Sequence, residues 1–201
     1  TDGKEPTHKS KKYDAPFAIA TSTTVKAAVF EANQQQGKVK TVQYLVHKAS
    51  GKPYTMPPIP DQYTGGDQFA LTNGVTGNAK TWGSWVGLVN HDIDPVIDLG
   101  ATTSISTVTT HFVNSKVSWI YPPKGVEVYG SDDGQQFKLL ARQDIPAESM
   151  NGITVETVRL DTPGASARYL KFVDTTFGVI PPGAPGAGNG AWLFVDEVIV
   201  E

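Results

Sequence analysis

The sequence predicts an all-β protein whose larger part is an antiparallel β-sandwich or barrel. Three observations support this prediction. The stretch from Gly125 to Arg142 alternates apolar and polar residues, turns, and then resumes an apolar run. Eight short strand candidates with turns between them follow the first third of the chain. No stretch keeps a helical period over three turns.

The hairpin is the most specific of these signals. Val126 and Val128 alternate with polar neighbours, as in a half-buried strand. Residues 131–134, Ser-Asp-Asp-Gly, supply turn chemistry, because Asp side chains cap nearby backbone groups and Gly134 tolerates a positive φ. An apolar run restarts at Phe137. Each strand needs a partner sheet to bury its apolar face.

The other strand candidates of the larger part share short runs rich in β-branched and aromatic residues. Together with the two strands of the hairpin, they are 85–89, 96–99, 104–112, 126–130, 137–141, 154–160, 168–173 and 192–200. Two long segments between or before these strand candidates predict loops. Residues 70–84 are small and polar, and residues 178–191 contain five Gly and three Pro. We expect the second loop to be ordered by packing, by a ligand, or not at all.

The N-terminal part predicts a smaller β unit. Residues 24–31 and 39–46 read as strands, residues 17–20 as a short third strand, and residues 34–37 as a loop. Three strands form only part of an immunoglobulin-like sandwich. The Pro-rich stretch from Ser50 to Pro60 reads as a linker. The predicted organisation is therefore a partial unit at 1–52, a linker at 53–66 and a sandwich at 67–201.

Composition excludes several classes of protein. No apolar run is long enough to span a membrane, and the absence of Cys excludes disulfides and thiolate metal sites. Residues 1–52 hold nine Lys and four acidic residues, whereas residues 53–201 hold eight basic and sixteen acidic residues. The Lys residues of the first part lie in a turn-rich segment without interleaved aromatics, so we expect a solvated face and no nucleic-acid partner. The chain begins without an initiator Met, so we expect a piece of a longer polypeptide.

The sequence predicts no catalytic residues. Asp132 and Asp133 lie in a hairpin turn, where Asp is expected for backbone reasons. Asp196 and Glu197 are adjacent on a strand, so their side chains point to opposite faces and cannot act together on one substrate. Of the four His residues, only His91 lies in a polar loop suited to ligand contact.

Residues 65–201 resemble the discoidin, or coagulation factor 5/8 type C, domain, the galactose-binding-like fold of the family 32 carbohydrate-binding modules. The order and spacing of several short motifs carry the resemblance. They are residues 70–74, Trp85, 96–100, 123–128, 131–134, Phe137, 167–171 and 196–198. The resemblance implies a galactose-binding-like antiparallel β-sandwich.

A narrower resemblance involves the C-terminus. Residues 185–188 and 191–197, with the run 118–123, look like the end of bacterial exo-β-N-acetylhexosaminidases of glycoside hydrolase family 20. Residues 1–7, Tyr13, 16–17 and 24–27 are similar to the small fibronectin-III-like domain that follows the catalytic barrel of those enzymes. This implies that the upstream partner is a catalytic domain of the same polypeptide, in a secreted, periplasmic or cell-surface bacterial protein.

The discoidin resemblance also implies a cation site. Such modules often hold Ca²⁺ with a loop after the first apolar turn and a glutamate on the last strand. Here these are the Ala70 carbonyl, Asn73, oxygens near 76–81, and Glu197. The family often has Asp where this chain has Asn73, so one ligand charge is lost. Alternatively, Asn73-Gly74 is only a tight turn.

Sugar binding requires an exposed aromatic face and a few convergent polar groups. Trp85 and Trp192 lie within strand patterns and are expected in the core. The candidate residues lie instead near loops: Trp82, His91, Asp92, Asn114, Trp119 and Tyr121. The function expected is a non-catalytic module that binds N-acetylhexosamine- or galactose-type glycans. Two alternatives stay open: a structural module that braces the catalytic barrel without a ligand, and a discoidin-type adhesion module.

Overall fold

The computed structural model describes residues 3–58, 63–147 and 150–201. Within these residues the regular structure is β-strand, with one 3₁₀ turn at Lys116–Ser118. The all-β prediction is therefore confirmed. None of the described residues forms a helix with the length and apolar character needed to cross a membrane. The chain divides into two compact units, residues 1–46 and 47–201.

The first unit is built on one hairpin. Strand β1 (Thr23–Glu31) pairs antiparallel with β2 (Gln34–Tyr44) through the two-residue turn Ala32–Asn33, whose φ angles of 47° and 67° are both positive. Such a turn matches the twist of the paired strands. Residues 34–37, predicted as a loop, belong to β2, and residues 17–20, predicted as a strand, have no regular structure. Phe17 follows a Pro and is 53% exposed, so this segment lacks the burial that a strand needs.

The second unit is one eight-stranded antiparallel sheet that bends around its core. Its strands are β3 (Tyr54–Thr55), β4 (Val86–Val89), β5 (Val96–Ser115), β6 (Gly125–Ser131), β7 (Lys138–Asp144), β8 (Ile153–Thr175), β9 (Trp192–Val195) and β10 (Ile199–Val200). The order is β4-β9-β5-β8-β6-β7, and β3 and β10 also pair with β5.

Strands β5 and β8 each merge two predicted strands into one. Their pairing shifts register between Asp98 and Thr103 and between Ile105 and Thr107. Gly100 lies in the first shift with a φ of 89°. Such irregularities bend a strand and increase its twist, which lets one long strand follow the curved sheet where the sequence pattern indicated two.

The β6–β7 hairpin forms as predicted. Gly125 pairs with Asp144, and Gly130 pairs with Lys138. The Asp133 carboxylate closes the turn by accepting the backbone N–H of Gln135 and Gln136, each at 2.8 Å. These hydrogen bonds, with one from the Ser131 hydroxyl, lower the pKa of Asp133 to about 2.

The predicted linker contributes to the second unit. Tyr54 and Thr55 pair with Ile97 and Val96 of β5, and Met56 packs against the core. The division between the units lies after Val46, ahead of the predicted boundary. Residues 59–62 of the linker lie outside the described residues. The sequence did not predict strand β3, because a strand of two residues is too short to show a periodic pattern and its neighbours are rich in Pro.

The largest of three apolar clusters in the second unit lies beside a buried carboxyl group. Asp174 on β8 is fully buried beside residues that pack in this cluster, and neither carboxyl oxygen has a hydrogen-bond partner among the described residues. Burial, together with the charges of Asp196 and Asp92, raises the pKa of Asp174 well above its usual range. Asp174 therefore reduces stability when it ionises.

We expect Asp174→Leu, which keeps the branching at Cγ and removes the carboxyl group, to stabilise the protein at neutral pH by about 1–3 kcal/mol. Because the folded-state pKa is raised, wild-type stability should fall as the pH rises above about 4, the unfolded value, towards the folded value. Urea unfolding at about pH 5 and about pH 8 measures this slope.

The control is Asp144→Leu, which makes the same change at a side chain that is 86% exposed, and should shift stability by less than about 0.5 kcal/mol. A variant Asp174→Leu that is less stable than wild type, with an unchanged pH slope, would contradict the role given to Asp174.

Candidate functional site

An open cleft with aromatic walls lies on the second unit. Its volume is about 110 Å³. Four of its six lining residues are aromatic, and Ser118 places a hydroxyl-bearing side chain among them. The lining residues are Tyr63, Trp82, Ser118, Ile120, Trp192 and Phe194.

Strand β9 provides the base of the cleft through simple alternation. Leu193 and Val195 point into the core, so Trp192 and Phe194 share the opposite face. Gly87 pairs with Phe194 from the neighbouring strand β4. A Cβ atom at Gly87 would lie 2.9 Å from the Phe194 ring and 3.0 Å from the Tyr63 Cβ. The absence of a side chain at Gly87 therefore makes room for these two rings.

Edge-to-face contacts fix the rings relative to one another. The Tyr63 ring lies 4.8 Å from that of Phe194 and 5.1 Å from that of Trp192, at interplanar angles of 65° and 81°. Trp82 meets Phe194 at 5.4 Å and 61°. Such pairs contribute about 0.5–1.5 kcal/mol each beyond their buried area, so the aromatic walls are held in place before any ligand binds.

Residues 74–82 bring Trp82 to the cleft, and buried polar groups anchor this segment. The Asp196 Oδ2 accepts the backbone N–H of Gly77 at 2.7 Å. The Trp85 Nε1 donates to the Asn78 carbonyl at 3.0 Å. Gly77 packs so closely on the Trp85 ring that a Cβ there would lie 2.3 Å from it.

The other oxygen of Asp196 pairs with His111 on β5, with 3.0 Å between Oδ1 and Nδ1. Burial acts to lower the pKa of His111, but the Asp196 hydrogen bond and the charges of Asp196 and Glu197 outweigh it and raise the pKa above its ordinary value. The hydrogen bond between His111 and Asp196 thus partly compensates the burial of a carboxyl group that has no solvent exposure.

The sequence-predicted binding residues fall in three places. Trp82 lines the cleft. Trp119 is 43% exposed and follows the 3₁₀ turn. His91 and Asp92 are exposed in the loop after β4, where the Asp92 Oδ1 accepts the Thr176 backbone N–H at 2.8 Å.

Tyr121 and Asn114 are buried, so neither faces solvent. The Tyr121 hydroxyl donates to the Pro185 carbonyl at 2.9 Å, and burial raises its pKa. The Asn114 side-chain amide donates to the Gly152 carbonyl at 3.0 Å. Each side chain thus donates one hydrogen bond to a loop carbonyl, whereas the Asn114 Oδ1 has no partner among the described residues.

Sequence reasoning missed five of the six cleft residues. Trp192 was expected in the core and is only partly buried, although its alternation with Leu193 indicated the opposite face. Tyr63 was assigned to the linker. Ser118, Ile120 and Phe194 lie in family motifs, but no local pattern marks them as cleft residues, because only the fold brings them together.

The predicted cation residues do lie together. The Val198 N–H donates to the Leu71 carbonyl at 2.9 Å, which sets residues 70–74 against the end of the chain. The Gly74 N–H faces the Glu197 carboxylate. The Asn73 Oδ1 accepts the Val75 N–H at 2.8 Å, so the tight-turn interpretation also holds in the structure.

One carboxyl oxygen of Glu197 has a hydrogen-bond partner, and the other has none among the described residues. Its Oε1 lies 2.9 Å from His47 Nε2, and both side chains are nearly or fully inaccessible. The His47 Nδ1 faces the backbone N–H groups of Ala49 and Val200, each at 3.3 Å, so Nε2 carries the proton and donates to Glu197. The Oε2 has no well-formed hydrogen bond among the described residues.

The Oε2 atom of Glu197 and the oxygen atoms near it are ligands of the type that a hard cation prefers. Burial raises the pKa of Glu197, although the His47 and Gly74 hydrogen bonds oppose the rise. A cation beside Oε2 would compensate its charge, and the segment 70–74 that adjoins Glu197 contains a carbonyl at Ala70 and an amide oxygen at Asn73, both of types that Ca²⁺ accepts. The described residues contain no group of three or more His, Asp or Glu side chains suited to a metal, so most ligands here would be neutral oxygens.

Comparisons with known proteins give two family matches. The model described as F5/8 type C domain matches residues 47–195, and the model described as Fn3 associated matches residues 1–44. Among curated proteins, none matches the chain.

Solved structures of similar fold are distant in sequence. The CpGH89CBM32-4 module produced by Clostridium perfringens, in complex with glcNAc-alpha-1,4-galactose, is 14% identical, with 78% of this chain and 94% of that chain covered and a TM-score of 0.48. The lectin domain of lectinolysin complexed with Lewis B antigen is 18% identical, with 78% and 96% covered and a TM-score of 0.49. Chitosan-binding module 1 of the chitosanase/glucanase from Paenibacillus sp. IK-5 is 14% identical, with 78% and 98% covered and a TM-score of 0.49.

Proposed function

The chain belongs to the F5/8 type C domain family, and we propose that its second unit is a non-catalytic carbohydrate-binding module. The observation that carries this proposal is the aromatic cleft formed by Tyr63, Trp82, Trp192 and Phe194. Pyranose rings present apolar C–H faces that pack on aromatic rings, while their hydroxyls require polar partners at the rim. The cleft combines four rings with the Ser118 hydroxyl.

The size of the cleft is consistent with weak binding to part of one sugar. An indole buries about 150–250 Å², which corresponds to roughly 4–6 kcal/mol at about 25 cal/mol per Å² if burial is complete. A sugar covers only one side of each ring, and association costs several kcal/mol. The net affinity should therefore lie near the millimolar range.

We propose the ligand class and the parent protein from the sequence motifs. The glycans are of the N-acetylhexosamine or galactose type, and the chain is an accessory region of a secreted family 20 β-N-acetylhexosaminidase. Support comes from the run at 118–123 and the segment 185–197. The alternatives remain a bracing module without a ligand and an adhesion module. An upstream barrel with the motif His-x-Gly-Gly-Asp-Glu in the parent sequence would eliminate the adhesion module.

Trp82→Ala should weaken sugar binding at least about tenfold, because it removes one wall of the cleft. Calorimetric titration of the folded chain with N-acetylglucosamine, N-acetylgalactosamine and galactose measures the effect. Tyr13→Ala removes an aromatic ring that is 69% exposed in the first unit and should leave the affinity unchanged.

An unchanged affinity in the Trp82 variant would show that the sugar site lies elsewhere. If the wild type binds none of these sugars at high millimolar concentration, the bracing module becomes the better proposal.

The chain should not hydrolyse chromogenic β-N-acetylglucosaminides. Asp196 and Glu197 bind different partners, His111 and His47 respectively, and Asp133 is held ionised in a turn. None of these carboxyls pairs with a second one for acid–base chemistry. Turnover that is lost when one of them is replaced would overturn the non-catalytic assignment.

We also propose that the Glu197 region binds Ca²⁺ as a structural ion. If it does, Ca²⁺ at roughly 100 times its Kd should add about 2.7 kcal/mol of stability and raise Tm by about 5–10 °C. Glu197→Gln should remove this response, whereas Glu201→Gln, at an exposed position, should keep it. A Tm that stays constant after both chelation and Ca²⁺ addition would leave Asn73-Gly74 as a turn only.

A further inference from the structure

Trp119 has an unusual combination of backbone conformation and exposure. Its φ of 62° and ψ of 19° lie in the left-handed region, which a bulky side chain rarely adopts. Its exposed fraction is 43%, so burial of the indole does not offset this cost. A strained conformation persists only where its surroundings determine it, and such positions cluster at functional sites.

Backbone hydrogen bonds on both sides determine this conformation. The Trp119 N–H donates to the Lys116 carbonyl at 3.0 Å, and the Trp119 carbonyl accepts the Trp192 N–H at 2.8 Å. Ser115 and Ile120 exchange hydrogen bonds of 2.9 and 3.2 Å across the turn. The turn thus presents the Trp119 side chain in one direction.

The loop at 178–191 packs against one side of the Trp119 indole. A Cβ atom at Gly186 would lie 2.6–2.8 Å from three atoms of the Trp119 indole, so the ring rests on the glycine backbone. The loop at 178–191 is itself ordered by packing: the Ile180 N–H donates to the Asn189 carbonyl at 2.9 Å, and Ile180 is buried against Tyr121 and Phe177. The indole is therefore exposed on one side and supported on the other.

Trp119 is also next to the aromatic cleft. Its two chain neighbours, Ser118 and Ile120, both line the cleft, so its Cα lies about 3.8 Å from each of their Cα atoms. Its carbonyl is bonded to Trp192, a third lining residue. The side chain of Trp119 is absent from the cleft lining itself and rests on the 178–191 loop.

We propose that Trp119 is a second aromatic subsite, which stacks on the sugar unit adjacent to the one in the cleft. This inference rests on the proposed function of the cleft and extends it: the ligand is an oligosaccharide of at least two units, with the first unit in the cleft and the next on Trp119. Because the ring is preorganised by two loops, little side-chain entropy is lost on stacking.

The test compares ligands of different length on the folded chain. N-acetylglucosamine and its β-1,4-linked dimer and trimer, and galactose and N-acetyllactosamine, are titrated by calorimetry and by Trp fluorescence. The wild type should bind the longer member of a series about five- to tenfold more tightly than the monosaccharide. Trp119→Asn, with a residue that tolerates the left-handed region, should abolish this length dependence and leave monosaccharide affinity unchanged.

A pair of glycine variants tests the ring without removing it. Gly186→Ala should displace the indole and reduce the length dependence, because the added methyl group occupies the position of the ring. Gly183→Ala is the matched control, since Gly183 lies in the same loop with a φ of 85° against 84° at Gly186, and its Cβ position has no neighbour within 4 Å. Because the two φ angles are nearly equal and only Gly186 touches the indole, only the first variant should change binding.

The outcomes separate this inference from the proposed function. Equal affinity of the wild type for monosaccharides and longer glycans overturns the second subsite and leaves the cleft assignment intact. Length dependence that survives in Trp119→Asn, or is lost equally in Gly183→Ala, also overturns it. Binding of neither short nor long glycans overturns the proposed function and the subsite together.

Discussion

The burial of two adjacent carboxylates, Asp196 and Glu197, constrains the whole functional end of the second unit. Neither side chain is exposed, so each must be compensated by hydrogen-bond donors within the protein. His111 and His47 supply one donor each, and backbone N–H groups of residues 74–77 face the same two carboxylates. This segment is thereby held against the last strands. Since the same segment leads to Trp82, the position of one cleft wall follows from the hydrogen bonds that these two buried carboxyl groups accept.

The hairpin could be predicted from sequence because its information is local. The alternation of Val126 and Val128, and the Asp133 carboxylate that closes the turn, all lie within a stretch of twenty residues. The same holds for the exposed position of Trp119, whose neighbours predicted a loop. Strand count was less accurate, because the register shifts in β5 and β8 interrupt the pattern without ending the strand.

The cleft could not be predicted from sequence, because its lining residues come from distant parts of the chain. Tyr63 enters through a segment whose Pro content indicated a linker, and Trp192 contacts it from strand β9, far along the chain. Tyr121 shows the opposite case: a loop aromatic that looked accessible is covered by residues 178–191. Burial of a loop residue depends on which other loop covers it, and that is decided by tertiary contacts.

The two ends of the second unit lie side by side. Near its start, the Lys48 N–H donates to the Val200 carbonyl at 2.9 Å, and both β3 and β10 pair with β5. Lys48 and Val200 therefore lie at one place in this unit. A domain with adjoining ends can be inserted into a loop of another protein, or joined end to end and reopened elsewhere, without reorganising its interior. In evolution and in engineering, this unit is therefore a transferable part.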